Sequence, residues 1–146
     1  MGWRFRSYEK QLMIVVDSSV WIDYFNGIDT SQTDRLNELL GIELISVGDI
    51  ILTEVLQGFR NDKDYRTAKA VFASLTVFDM LGYEIAIKSA ENFRTLRKQG
   101  ITIRKTNDVI IATFCLENNY SLLFCDRDFI PFVTRLGLDS VLVKNN

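Results

Sequence analysis

The chain contains no histidine. That excludes His-based acid–base catalysis and Ser–His or Cys–His nucleophile pairs. With only Cys115 and Cys125 as thiols, a zinc site is also short of ligands. Two cysteines do not make a disulfide framework. One falls in a predicted helix and one at a predicted strand end, and they read as reduced thiols of an intracellular, cytoplasmic protein. No apolar run approaches the ~20 residues of a membrane span. Residues 1–12 carry Arg4, Arg6 and Lys10 with no apolar core behind them, so they are not a secretory signal. They read as an N-terminal extension, either a short arm or an upstream-start artefact, because Met13 makes a natural start. This leaves 13–146 as a single domain. Positive charge is not in excess either: 17 Lys and Arg stand against 19 Asp and Glu, so bulk charge does not attract nucleic acid, although local clustering still can. There is one proline, Pro131, placed in the first turn of a predicted helix where proline is tolerated. Internal repeats and low-complexity tracts are absent.

What remains is ordinary globular composition, 47% hydrophobic and 25% charged, in 146 residues, enough to bury a real core. Carboxylates are the dominant chemical resource. The chain is organised around residues 13–25, where the apolar run Ile14-Val15-Val16 ends on Asp17, followed by Ser18-Ser19 and an apolar-periodic helix. In an open parallel sheet, ligands bind at the carboxyl ends of strands. Asp17 there can serve as the cap of the next helix or as a ligand to a metal or phosphate.

Periodicity and punctuation predict strands at 13–16, 43–47, 76–78, 121–125 and 141–143. They predict helices at 19–25, 31–40 (capped by Ser31, closed by Gly41), from Gly48-Asp49 through Phe59, 62–75, 83–99, 108–117 (capped by Thr106 or Asn107) and 129–136. Strands alternating with helices give an α/β fold with a mostly parallel sheet and helices on both faces. Phe25, Phe59, Phe72, Phe93 and Phe114 fall at core spacing, as do Trp21 and Tyr24, for which an interface role is the alternative.

The arrangement at Asp17 recurs. Glu54 lies mid-helix beside the buried stripe, with Gly58 one turn on to admit a close neighbour. Asp108 opens a helix backed by Ala112 and Cys115. Asp126 and Asp128 follow the strand at 121–125. Each has a structural reading, as a helix cap, a dipole partner or a turn residue. Taken together, four elements deliver acids to one sheet edge, where bare carboxylates repel. A hard cation, Mg²⁺ or Mn²⁺, resolves this with oxygen ligands and can activate water for attack on a phosphoryl group.

In sequence, Val15-Val16-Asp17-Ser18-Ser19-Val20-Trp21-Ile22, Thr53-Glu54-Val55-Leu56-Gln57-Gly58, Asn107-Asp108-Val109-Ile110-Ile111-Ala112 and Cys125-Asp126-Arg127-Asp128-Phe129 resemble the successive acidic motifs of the PIN domain. The segment 96–106 resembles the basic lead-in of VapC-type toxins of toxin–antitoxin pairs. The resemblance implies a three-layer α/β/α sandwich and a Mg²⁺- or Mn²⁺-dependent endoribonuclease restrained by a cognate antitoxin, as a homodimer. It implies Asp17, Glu54, Asp108 and Asp126 as catalytic metal-site acids, Asp128 as an additional carboxylate and Ser19 as the residue that orients Asp17. Phe124 departs from the pattern, since many members carry Thr, Ser or His there. Arg94, Arg97, Lys98, Arg104 and Lys105 flank Asp108 and are the candidate phosphate contacts, or else a solvated basic face.

Three alternatives carry different chemistry. A dehalogenase-like phosphohydrolase would want a second Asp where Ser19 stands. A receiver-type module could use Asp79 and Lys144 but lacks an acidic pair at the first strand. A catalytically silent binding module of the same fold would retain the acids without using them.

Overall fold

The computed structural model describes residues 13–42 and 45–141. The order is β1 (Ile14–Val16), α1 (Ser18–Phe25), α2 (Ser31–Leu40), β2 (Ile45–Gly48), α3 (Asp49–Gln57), α4 (Asp62–Ala73), β3 (Thr76–Phe78), α5 (Tyr83–Lys98), α6 (Thr106–Asn118), β4 (Ser121–Leu123), a 3₁₀ turn (Arg127–Phe129) and α7 (Ile130–Leu136). The sheet order is β3-β2-β1-β4, all parallel. β1 is therefore central, with Val15 opposite Ser46 on one side and Leu122 on the other. The chain leaves β1 toward β2 and β3, then crosses back to β4. That reversal makes the β1/β4 boundary a topological switch point, where a crevice opens beyond the strand ends. The result is a three-layer α/β/α sandwich with a parallel central sheet.

β1 has the continuous apolar character of a strand covered on both faces, and all three of its residues are buried. β3, at the edge, exposes Thr76 and Val77. α1 packs on α2 and α3, α3 on α4, and α5 on α6. The expected aromatic core divides in two, with Phe93 in neither group, half-buried on α5. Trp21 stacks on Phe25 and meets Phe72 edge-on, while Phe78 packs on Phe114 and Tyr120. Trp21 is fully buried, so it is a core residue. Residues 109–115 of α6 are all buried.

Several boundaries differ from the sequence expectation. Thr30, not Ser31, caps α2 through a reciprocal capping box with Thr33. α6 begins at Thr106, so Thr106 and Asn107 lie in its first turn, and no side chain caps it. β4 stops at Leu123, two residues early, because Phe124 turns to pack on Phe129. Of the strand expected at 43–47, residues 43 and 44 lie outside the described residues, and β2 runs on to Gly48. Of that expected at 141–143, the structure describes only its start: Ser140 bridges Leu122 in parallel and Val141 donates to the Leu122 carbonyl. Residues 142 and 143 lie outside the described part, as do residues 1–12 and Lys144.

Candidate metal centre

Asp17 is fixed by its backbone before its side chain acts. Its N–H donates to the Leu123 carbonyl at 2.9 Å, so the β1–β4 ladder continues through it. Its side chain performs one of the two roles the sequence allowed, the helix cap, with one oxygen and leaves the other unpartnered. Oδ2 caps α1, accepting from the Ser19 N–H at 3.2 Å and the Ser19 hydroxyl at 2.7 Å. Oδ1 is buried with no hydrogen-bond partner. Burial pushes the Asp17 carboxyl above the ordinary range, opposed by the Ser19 hydroxyl and N–H and the Ser18 N–H, and reinforced by the charge of Glu54.

Glu54 projects from α3, half-buried. Asn107 Nδ2 donates to its Oε2 at 3.4 Å, while Oε1 is buried and unpartnered. The close approach expected at Gly58 does not occur. That glycine is exposed, and a Cβ there would meet only carbonyls of its own helix. Asp108, in the first turn of α6, is buried, and its Oδ2 has no partner. Burial first, then the charges of Asp17 and Asp126, raise its carboxyl to about 7, with Lys105 pulling the other way. Asp126 caps the 3₁₀ turn, its Oδ1 accepting from the Asp128 N–H at 2.9 Å. One carboxylate oxygen each from Asp108, Asp126 and Asp128 lie within 4.8 Å of one another.

The structure thus brings all five predicted acids to one locus, and Asp128 belongs to the tightest group. Three carboxylate oxygens from three elements are buried and unsatisfied, an arrangement that costs free energy unless a cation faces them. The all-oxygen donor set suits Mg²⁺ or Mn²⁺.

The predicted basic residues divide. Arg104 donates to Asp128 Oδ2 through Nη2 at 3.2 Å and Nε at 3.4 Å, and Lys105 Nζ lies 3.9 Å from Asp126 Oδ2. Both stay largely exposed at their tips. Arg94, Arg97 and Lys98 belong to α5; the first two line a separate cleft. Asn107 is the residue sequence reasoning assigned only to capping, and its contact with Glu54 spans 53 positions that no local pattern displays. The Cys125 thiol is pushed up to about 11, and that of Cys115 still higher, both mainly by burial, which leaves them unreactive.

A parallel three-layer sandwich whose switch-point crevice holds a converging carboxylate cluster defines an acid-site α/β protein. The chain belongs to the PIN domain family, whose model matches residues 14–132. Ribonuclease VapC1 of Methanocaldococcus jannaschii is 30% identical over 130 residues, 89% of this chain and 88% of that relative. Ribonuclease VapC11 of Mycobacterium tuberculosis is 29% identical over 122 residues, 80% and 89% respectively. Among solved structures, VapBC2 from Rickettsia felis bound to a DNA fragment from its promoter superposes with a TM-score of 0.69 at 19% identity, covering 88% of this chain and 97% of that one. DNA-bound VapBC from Salmonella typhimurium gives 0.67 at 15% identity, covering 88% and 96%. These likenesses establish the fold and set aside the phosphohydrolase and receiver readings.

Proposed function

We propose that this protein is a metal-dependent endoribonuclease and the toxin of a toxin–antitoxin pair. The observation that carries the catalytic part is the set of buried, unpartnered oxygens, Asp17 Oδ1, Glu54 Oε1 and Asp108 Oδ2, in a chain whose relatives are named ribonucleases. Asp17, Glu54, Asp108 and Asp126 would hold Mg²⁺ or Mn²⁺, with Asp128 as an additional carboxylate. When bound, that ion supplies Lewis-acid stabilisation of phosphate charge and activates water.

The chain's own residues do the rest. Ser19 keeps Asp17 oriented and favours its ionised form. Asn107 holds Glu54 toward α6. Arg104 and Lys105, paired with Asp128 and Asp126 and largely exposed, would contact the RNA backbone. The partners are an RNA substrate, a cognate antitoxin and a second copy in a homodimer. The antitoxin reading is supported by the VapBC complexes of the structural relatives and by exposed Ile22 and Ile28 on and beside α1.

The test is cleavage of total cellular RNA by the purified protein in Mg²⁺ or Mn²⁺, beside samples with EDTA and with Asp17→Asn. Discrete products that vanish in both controls are expected. A folded protein that neither cleaves nor binds metal would sink the catalytic reading in favour of a silent binding module.

A further inference from the structure

A cleft of about 490 Å³ is lined by residues of α5 and α6 beside their contact, within the ~300–1,000 Å³ of small-molecule sites. Ala86, Ala90 and Phe93 form one wall, and Thr106 and Ile110 the other. Apart from exposed Thr106 and two arginines its lining is apolar, with one buried polar group. Ser89, 6% exposed, lines it, and its hydroxyl has no hydrogen-bond partner, not even the preceding-turn carbonyl that a helical serine ordinarily uses. An apolar slot with a single unsatisfied polar atom is how a site orients a flat ligand. At its mouth stand Arg94 and Arg97, both exposed. Neither has an ion-pair partner among the described residues, and the Arg97 guanidinium lies 5.4 Å over the Phe93 ring.

The cleft and the acid cluster share one helix. At 3.6 residues per turn, Thr106, Val109 and Ile110 lie on the face of α6 away from Asp108, so the two sites are a helix width apart, ~10 Å. Between them lies the start of α6, which no side chain caps and which Lys105 and Arg104 flank. An uncapped helix start between cations favours a phosphate.

We propose that this cleft is a nucleobase subsite. It would receive the base of an RNA nucleotide beside the scissile phosphate, with Ser89 bonding the base edge and Arg94 and Arg97 holding the flanking backbone. The proposal rests on the ribonuclease reading. RNA fits better than a protein face, because a two-fold contact centred here would set these arginines against their own copies. A base between phosphates matches both the apolar floor and the cationic mouth.

The test compares binding of a labelled RNA decamer of mixed sequence with that of its abasic counterpart, in EDTA, so that cleavage plays no part. The base-bearing strand is expected to bind about tenfold or more tighter, the scale of one stacked base. Ala90→Trp fills the cleft from an exposed helix position and should bring that ratio close to one while sparing abasic affinity; Ala86→Trp is the second variant should the first unfold. Arg94→Gln should weaken both strands. A ratio near one in the parent, or one that survives cleft filling, would overturn the proposal. So would conversion of a dimer to a monomer by Ala90→Trp with the ratio unchanged, which gives the cleft to a second copy. Base-dependent binding without metal-dependent cleavage would overturn the nuclease reading and keep the subsite.

Discussion

One Asp17 oxygen caps α1 and the other is buried without a partner, and that makes Ser19 consequential. Ser19→Ala removes the 2.7 Å hydroxyl bond but leaves the N–H bond and the helix cap. Loss of such a supporting contact costs roughly tenfold in metal affinity. Because the hydroxyl lowers the Asp17 pKa, the deficit should shrink as pH rises; Mn²⁺ titration calorimetry at two pH values checks this, and a pH-independent loss would contradict it. Asp108 gives a second test. Its carboxyl, raised from 3.8 to about 7 in the folded protein, holds a proton that the unfolded chain has already released. Its contribution to stability is full below about pH 4 and is lost as pH climbs to about 7. Metal-free protein in EDTA should therefore melt at lower temperature as pH is raised from 5 to 8, and Asp108→Asn should flatten that slope; an unchanged slope would refute the assignment. The acids were legible in sequence because each sits at or beside an apolar element, a local pattern. The pairing of Arg104 with Asp128 was not, since 24 positions separate them and only tertiary packing brings them together.

At the scale of elements, position along the chain was read better than length. α6 begins two residues early, at Thr106 after an extended Lys105, while β4 ends early because Phe124 finds Phe129. Neither shift shows in periodicity. The junction of β2 and α3 was predicted where it is, but its tightness was hidden. A Cβ on Gly48 would fall 2.0 Å from Met80 Sδ, and Met80 is fully buried with its N–H on Asp49 at 3.0 Å. Gly48→Ala should thus cost ~1–3 kcal/mol by overpacking and displace the helix that carries Glu54. Urea denaturation measures the cost. Combining it with Met80→Ala should cost less than the sum of the two single changes, whereas strict additivity would mean that the pair does not collide.

For the whole molecule, α/β alternation made the layered architecture legible, whereas strand order and the switch point came only with the structure. The acids that converge there oppose the fold until a cation faces them. Saturating Mn²⁺ at about a hundred times its Kd should stabilise by ~2.7 kcal/mol, about 5–10 °C in Tm for a chain of this size. EDTA should reverse the gain and Asp108→Asn should abolish it; equal shifts in parent and variant would place the ion elsewhere.

The unbroken burial of residues 109–115 bears on how the protein opens. A helix buried over two turns should exchange its amides with solvent deuterium slowly, near the limit set by global unfolding. Asp108 adjoins this segment, which is expected to exchange slowly, while the Asp126–Asp128 turn and the loop carrying Arg104 and Lys105 lie in thinner cover. Deuterium exchange is therefore expected to be slow on the α6 side of the crevice and fast on the side of the Asp126–Asp128 turn.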